Sequence, residues 1–267
     1  MPFRTLQFPR LRHYTASLLL ALSAAPVCAG LPNVSAMVAA VPKQALETDV
    51  LVIGENHRKA GSHAFTLGLI KRAISSDRCV HFALEIGADQ TAAWQALSNK
   101  EQSTPAQLST IHDSPSLRAL LADTAELSRR ACLRLAGVDV AEGQNAPQPG
   151  GRDAFMAEGI ADLADPRVLT IALLGNNHAP RHVDWNFDEP GQSTTHYLDA
   201  RGLDTFVIVQ DWKADRRSPR MFTEDTPEAV QAFNTLQSHR SVIRAQSLSR
   251  YADVLIVWPE ELAFNTP

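Results

Sequence analysis

Six short runs of apolar and β-branched residues recur along this chain with helical patterns between them: Val50 to Ile53, Val80 to Leu84, Leu133 to Val138, Val168 to Leu174, Phe206 to Val209 and Val254 to Val257. The runs are nearly continuous in hydrophobicity instead of alternating, so each strand must be covered on both faces. Strands that alternate with helices and are buried on both sides define an α/β fold, a mainly parallel sheet with helices on both faces. A β-sandwich, whose strands alternate apolar and polar residues, is disfavoured. Two helix starts are legible in the connections. Ser114-Pro115 opens one that places Leu117, Leu120, Leu121, Thr124 and Leu127 on a single face, and Thr226-Pro227 opens another that carries Val230 and Phe233.

The first 29 residues have a different character. Arg4, Arg10 and Arg12 precede the apolar run Ala16 to Ala25 and the small-residue site Val27-Cys28-Ala29, the three-part pattern of a cleavable signal peptide. A run of about ten apolar residues is half of what a bilayer crossing requires, and no later stretch approaches twenty, so no membrane segment is expected after cleavage. Cys28 raises lipid attachment as a rival. It is disfavoured because Ala25-Pro26-Val27 lacks a leucine three places before the cysteine and a small residue directly before it.

Three of the 25 basic residues and none of the 29 acidic ones lie in this leader, so the remaining 238 residues carry a net charge of −7. That length suits one domain, residues 30–267, and that charge disfavours nucleic acid or anionic lipid as a partner. The expected location is the periplasm or the exterior. In such an oxidising compartment Cys79 and Cys132, each at the start of a predicted strand, either form a disulfide between neighbouring strands or stay as buried thiols.

In a parallel α/β sheet the ligand lies outside the carboxyl ends of the strands, so the informative residues follow each run. They form a polar series: Gly54-Glu55-Asn56-His57, Glu85, Asp139, Gly175-Asn176-Asn177-His178, Asp211 and Glu260. Two strands end in the same Gly-x-x-His pattern, where glycine permits a sharp turn and the histidine can point back over the sheet edge. Polar strand ends are ordinary in any soluble protein, which accounts for Asp211 and Glu260. It accounts less well for Glu85 directly after Phe82-Ala83-Leu84, since a carboxylate in apolar surroundings needs a partner. Glu55, His57, Glu85 and His178 therefore form the core candidate set.

Arg152 stands in the first turn of a helix opened by Gly150-Gly151, where a guanidinium either binds a carboxylate, phosphate or oxyanion or forms a structural ion pair with Glu55, Glu85 or Asp139. Asp153 favours the start of that helix. His182 lies four residues after His178, but Pro180 between them speaks against a helical metal pair. His63, His81, His112, His196 and His239 have no signature around them and are assigned no role. Two connections stand out as candidate lids: Glu142 to Gly151, rich in Gly, Pro, Gln and Asn, and Pro180 to Tyr197, which has no clear period. The chain lacks a Gly-x-Ser-x-Gly elbow, a Gly-rich phosphate loop and a His-Glu-x-x-His helix, so serine hydrolase, nucleotide-binding and zincin chemistries lose their main support.

At Gly54-Glu55-Asn56-His57, Leu84-Glu85, Arg152-Asp153 with Met156-Ala157, and Leu174-Gly175-Asn176-Asn177-His178-Ala179, the sequence resembles the superfamily uniting ChaN-like haem-uptake proteins, Tiki/TraB proteins and erythromycin esterases. The match covers roughly residues 48 to 210, and the ChaN-like branch resembles it most. The resemblance implies an α/β fold with a Glu and His cluster at the strand ends, and activities that range from haem binding to metal-dependent proteolysis and ester hydrolysis.

Two expectations follow. In the first the chain is a hydrolase of a small-molecule or peptide ligand without a protein nucleophile: His57 is general base toward water, Glu55 or Glu85 orients it, and Arg152 or His178 stabilises the oxyanion. A metal form makes Glu55, His57, Glu85 and His178 ligands of zinc, manganese or iron. In the second the chain binds haem or iron for uptake, with Tyr197, His178, His182 or His196 as axial ligand.

Overall fold

The computed structural model describes residues 33–100, 108, 112–147, 149–183, 192–240 and 243–260, so the expected leader lies outside the described residues. Seven strands form one sheet: β1 Val50–Glu55, β2 Cys79–Gly87, β3 Leu133–Asp139, β4 Val168–Gly175, β5 Thr205–Lys213, β6 Arg220–Phe222 and β7 Val254–Pro259. Their order across the sheet is β3-β2-β4-β1-β5-β7-β6, and every pairing is parallel except that of β6 with β7. The helices are α1 Val34–Ala40, α2 Ala60–Ser75, α3 Thr91–Ser98, α4 Pro115–Ser128, α5 Gly151–Ala161, α6 Thr194–Ala200, α7 Pro227–His239 and α8 Leu248–Tyr251. Among the described residues no helix is long and apolar enough to cross a membrane.

Burial explains why the strands read as unbroken apolar runs. Leu51, Ile53, Phe82, Leu84, Ile171 and Leu173 belong to one buried cluster with Phe65 of α2 and Leu117 of α4. The alternate residues Val50, Val52, Ala83, Ala172 and Leu174 belong to a second, with Met156 and Ile160 of α5 and Phe233 of α7. Successive side chains of a strand point to opposite faces, so helices on both sides leave no face for polar residues. The two legible helix starts are capped. Ser114 accepts from the Leu117 N–H at 3.2 Å and Thr226 from the Ala229 N–H at 3.2 Å, each followed by a proline whose missing N–H is not needed there.

Four features differ from the sequence expectation. The edge strand β6 went unseen because three residues carry no period, and its antiparallel pairing with β7 supplies what its own pattern does not. The fifth strand runs on to Lys213, which places Asp211 inside β5, opposite Val257, not beyond its end. Glu85 likewise lies within β2, where the register with β3 shifts between Leu84 and Gly87. The long connection after Pro180 is not featureless throughout, because Ser193 caps α6 through the His196 N–H and brings Tyr197 into that helix.

Cys79 and Cys132 are joined as a disulfide with 4.7 Å between their Cα atoms, tying the start of β2 to the residue before β3. A polar hub crosses the opposite side of the sheet centre. Buried Gln210 of β5 donates to the Gly54 carbonyl at 2.9 Å and to Ser62 Oγ at 2.7 Å, and accepts from Trp258 Nε1 at 2.8 Å. Asn176 donates to the Gln210 carbonyl at 2.6 Å, and a Cβ on Gly54 would come within 2.5 Å of Asn176 Oδ1. The first Gly-x-x-His motif thus needs its glycine so that the loop of the second can pack on it. Because the disulfide closes a separation of 53 residues, its reduction or a Cys132→Ser exchange is expected to lower stability by about 2–4 kcal/mol. Denaturant unfolding with and without reductant measures this, and coincident curves would contradict it.

Candidate functional site

The sheet order brings β2, β4 and β1 side by side, so their carboxyl ends deliver Glu85, Gly175 and Glu55 to one place. Glu55 pairs in register with Gly175. A Cβ on Gly175 would stand 3.0 Å from His57 Nε2 and 3.2 Å from Glu85 Oε2, so the missing side chain makes room for groups from both flanking strands to converge. They border a cavity of about 360 Å³ shared with His112, Arg152, His178 and Arg240.

Glu55 is 3% exposed and its two oxygens face two imidazoles. His57 Nδ1 lies 2.9 Å from Oε1 and His63 Nε2 lies 2.8 Å from Oε2, the latter a close ion-pair contact out of line for a hydrogen bond. His63 is itself held at Nδ1 by Ser116 Oγ at 2.8 Å. Burial works to raise the Glu55 pKa, but the imidazoles of His63 and His57 outweigh it and hold the carboxyl down at about 2. For His57, burial acts downward, while its bond to Glu55 and the charges of Glu55 and Glu85 win, so its pKa lies above the usual 6.5.

Glu85, 2% exposed, accepts from Arg152 Nη2 at 2.7 Å through Oε1 and from the Gly175 amide through Oε2. Arg152 also donates to Asp139, from Nε to Oδ1 at 2.8 Å and from Nη2 to Oδ2 at 2.5 Å. Its Nη1 lies 3.1 Å from His178 Nε2. A guanidinium has five N–H donors, and these contacts occupy four, leaving one on Nη1. Of the two sequence alternatives for Arg152 the structure has the ion pair, with Glu85 and Asp139, in a side chain that also borders the cavity. Asp153 does more than favour a helix start. Its carboxylate lies 3.0 Å from His178 Nδ1 and accepts from Thr194 Oγ1 at 2.8 Å. Burial would lower the His178 pKa, but bonding to Asp153 and the charge of Glu85 raise it.

The structure brings Glu55, His57, Glu85, Arg152 and His178 together and leaves other candidates outside. His182 is exposed, with a left-handed backbone at φ 56°, and Tyr197 packs its hydroxyl where a Gly150 Cβ would be. Neither borders the cavity, nor does His196. Asp211 pairs with Lys213 at 3.1 Å and Glu260 with Lys59. Sequence reasoning missed His63, His112 and Arg240. His63 had one available signal: a helix starting just after Glu55 returns its first turn over that residue. His112 packs edge-on against His57 with 4.3 Å between ring centroids, and burial, with the charge of His57, lowers its pKa.

The four-ligand metal set expected from the sequence is not assembled as such. Both Glu55 oxygens face imidazoles, and both His178 nitrogens face Asp153 and Arg152. His57, Glu85 and His112 do bring one donor atom each within 4.8 Å of one another. In that trio both Glu85 oxygens also accept hydrogen bonds, from Arg152 and from the Gly175 amide.

No protein-family model matches the chain, and no curated protein matches it in sequence. Solved structures do. A protein of Bacillus cereus superposes with a TM-score of 0.56 at 11% identity over 81% of this chain and 90% of its own. A variant of the erythromycin esterase EreC in its open conformation superposes with a TM-score of 0.52 at 13% identity, over 79% and 90%. The likeness to these two structures is one of fold. The haem-binding ChaN of Campylobacter jejuni aligns more loosely, with a TM-score of 0.44 at 10% identity over 84% of this chain and 91% of that one.

Glu55 gives a linkage prediction with a definite sign. A folded-state pKa of about 2 against an ordinary 4.5 stabilises the fold fully above about pH 4.5, and this is lost as pH falls toward 2. At about 1.4 kcal/mol per unit the effect is of the order of 3 kcal/mol. Glu55→Gln is expected to flatten the fall of stability over that window, read from denaturant midpoints against pH. An unchanged slope would mean that the two imidazoles do not hold this carboxylate.

Proposed function

We propose that this chain is an exported hydrolase, of ester or related acyl substrates, in which His57 activates water. The observation that carries the proposal is the placement of one imidazole between a buried carboxylate and a cavity. With the Nδ1 proton donated to Glu55 Oε1, the neutral ring keeps its Nε2 lone pair for a water beside Glu85 and above the bare backbone of Gly175. A buried acid that fixes tautomer and ring orientation is what a general base requires.

In the step this geometry supports, water attacks the acyl carbon as its proton passes to His57 Nε2, and the carbonyl oxygen becomes an oxyanion. The remaining Arg152 N–H is the donor available to that oxygen. Collapse of the tetrahedral adduct breaks the bond to the leaving oxygen, which takes the proton back from His57. No protein nucleophile is consumed. Arg152 is held for this task by Asp139 and Glu85, and burial notwithstanding, those two carboxylates raise its pKa, so it stays charged throughout. The leader pattern and the Cys79–Cys132 bond support export, and the fold shared with an esterase agrees with the chemistry without establishing it.

The pH dependence follows from His57. The base must be neutral, and its conjugate acid is favoured by Glu55, so kcat/KM on a chromogenic ester should rise with pH through an inflection above 6.5. In Glu55→Gln the burial penalty is left unopposed by that charge, and the inflection should move to lower pH along with a loss of rate. His57→Ala should cost about 10²–10⁴-fold, and Gly175→Ala at least tenfold with the fold retained. Activity untouched by His57→Ala would sink the mechanism.

Two controls separate the competing chemistries. Dialysis against a chelator should leave activity and melting temperature unchanged, and a stoichiometric metal lost together with activity would return the site to metal catalysis. Titration with haemin should give no saturable Soret shift. A one-to-one shift abolished by the double variant Tyr197→Phe, His178→Ala would make haem binding the leading function instead.

A further inference from the structure

Arg240, the residue that ends α7, borders the same cavity as His57. Its backbone is fixed on both sides, its amide donating to the Gln237 carbonyl at 3.2 Å and its carbonyl accepting from the Ile243 amide at 3.1 Å. Its Nη1 is buried and has no hydrogen-bond partner among the described residues. Among the described residues no carboxylate forms an ion pair with it, and its guanidinium hydrogen-bonds the phenol of Tyr251, whose pKa burial pushes up to about 12, so that it offers no negative charge.

The other charges around the cavity are already compensated. Glu55 faces His57 and His63, Glu85 and Asp139 take Arg152, and Asp153 takes His178. Arg240 is half-buried, and a guanidinium with one enclosed nitrogen left unsatisfied is under-bonded, while its planar fork matches a carboxylate or phosphate. We infer that Arg240 is an anion-binding subsite of this cavity, so that the ligand carries a carboxylate or phosphate group beside the bond presented to His57. The inference rests on the cavity being the substrate site and narrows that substrate to an anionic class.

The test is calorimetric titration of the purified protein at low ionic strength with inorganic phosphate and, separately, with acetate, for the wild type, Arg240→Gln, Arg240→Lys and His57→Ala. Saturable one-to-one binding of at least one anion is expected in the wild type and in His57→Ala. Affinity should drop at least tenfold in Arg240→Gln, with an intermediate value in Arg240→Lys, which keeps the charge and guards against a folding defect. The anion that binds identifies which oxyanion the subsite takes. Failure of both anions to bind, or binding indifferent to Arg240→Gln, would overturn the subsite. Because His57→Ala removes the proposed base and leaves Arg240 in place, a failed hydrolysis assay and a failed anion subsite give different results.

Discussion

Carboxylates that lose their water must find partners, and this molecule puts three of them, Glu55, Glu85 and Asp139, almost wholly out of solvent at one end of its sheet. Each is satisfied by groups that come from elsewhere in the chain. Glu55 faces His57 and His63, Glu85 takes Arg152 and the Gly175 amide, and Asp139 takes the Arg152 fork. Breaking one member of such a set leaves a buried charge uncompensated, which costs several kcal/mol. The loops after the strands are therefore held by their own acids.

The sheet order creates this concentration. Because β4 is inserted between β2 and β1, the strand that ends in Gly175 separates β1, which ends in Glu55, from β2, which carries Glu85 near its end. Had β4 ended in any larger residue, its side chain would occupy the space where His57 Nε2 and Glu85 Oε2 meet. Gln210 performs the matching task beneath them, joining β1, α2 and β7 through neutral hydrogen bonds that carry no charge into the core.

What was legible in the sequence was whatever is encoded locally. Unbroken apolar runs revealed the strands and their two-sided burial, and Gly-x-x-His after a run marked where the buried acids and imidazoles gather. Pairings that depend on the third dimension were not legible. His63 is eight residues from Glu55 in sequence and reads as an ordinary helical histidine until α2 packs over β1. His112 comes from a segment with no period, and Arg240 lies just past the end of α7. Asp211 and Glu85 fell on the wrong side of a strand end because a pairing partner, and in Glu85 a register shift, decides where a strand stops.

The two Gly-x-x-His motifs look equivalent in sequence, and the structure makes them different. Each histidine presents Nδ1 to an acid, Glu55 for His57 and Asp153 for His178. The contrast lies at the other nitrogen. For His178 it meets the Arg152 guanidinium at 3.1 Å, which can donate only to an unprotonated nitrogen. That contact favours the neutral ring, against the pull of Asp153 and Glu85 toward the charged one, and with both nitrogens engaged His178 is suited to holding Arg152 in place. For His57 the other nitrogen lies over Gly175, which has no side chain to fill the space beside it. In the hydrolysis proposed for this site, that difference gives proton acceptance to His57 and leaves His178 to orient the arginine beside the developing charge.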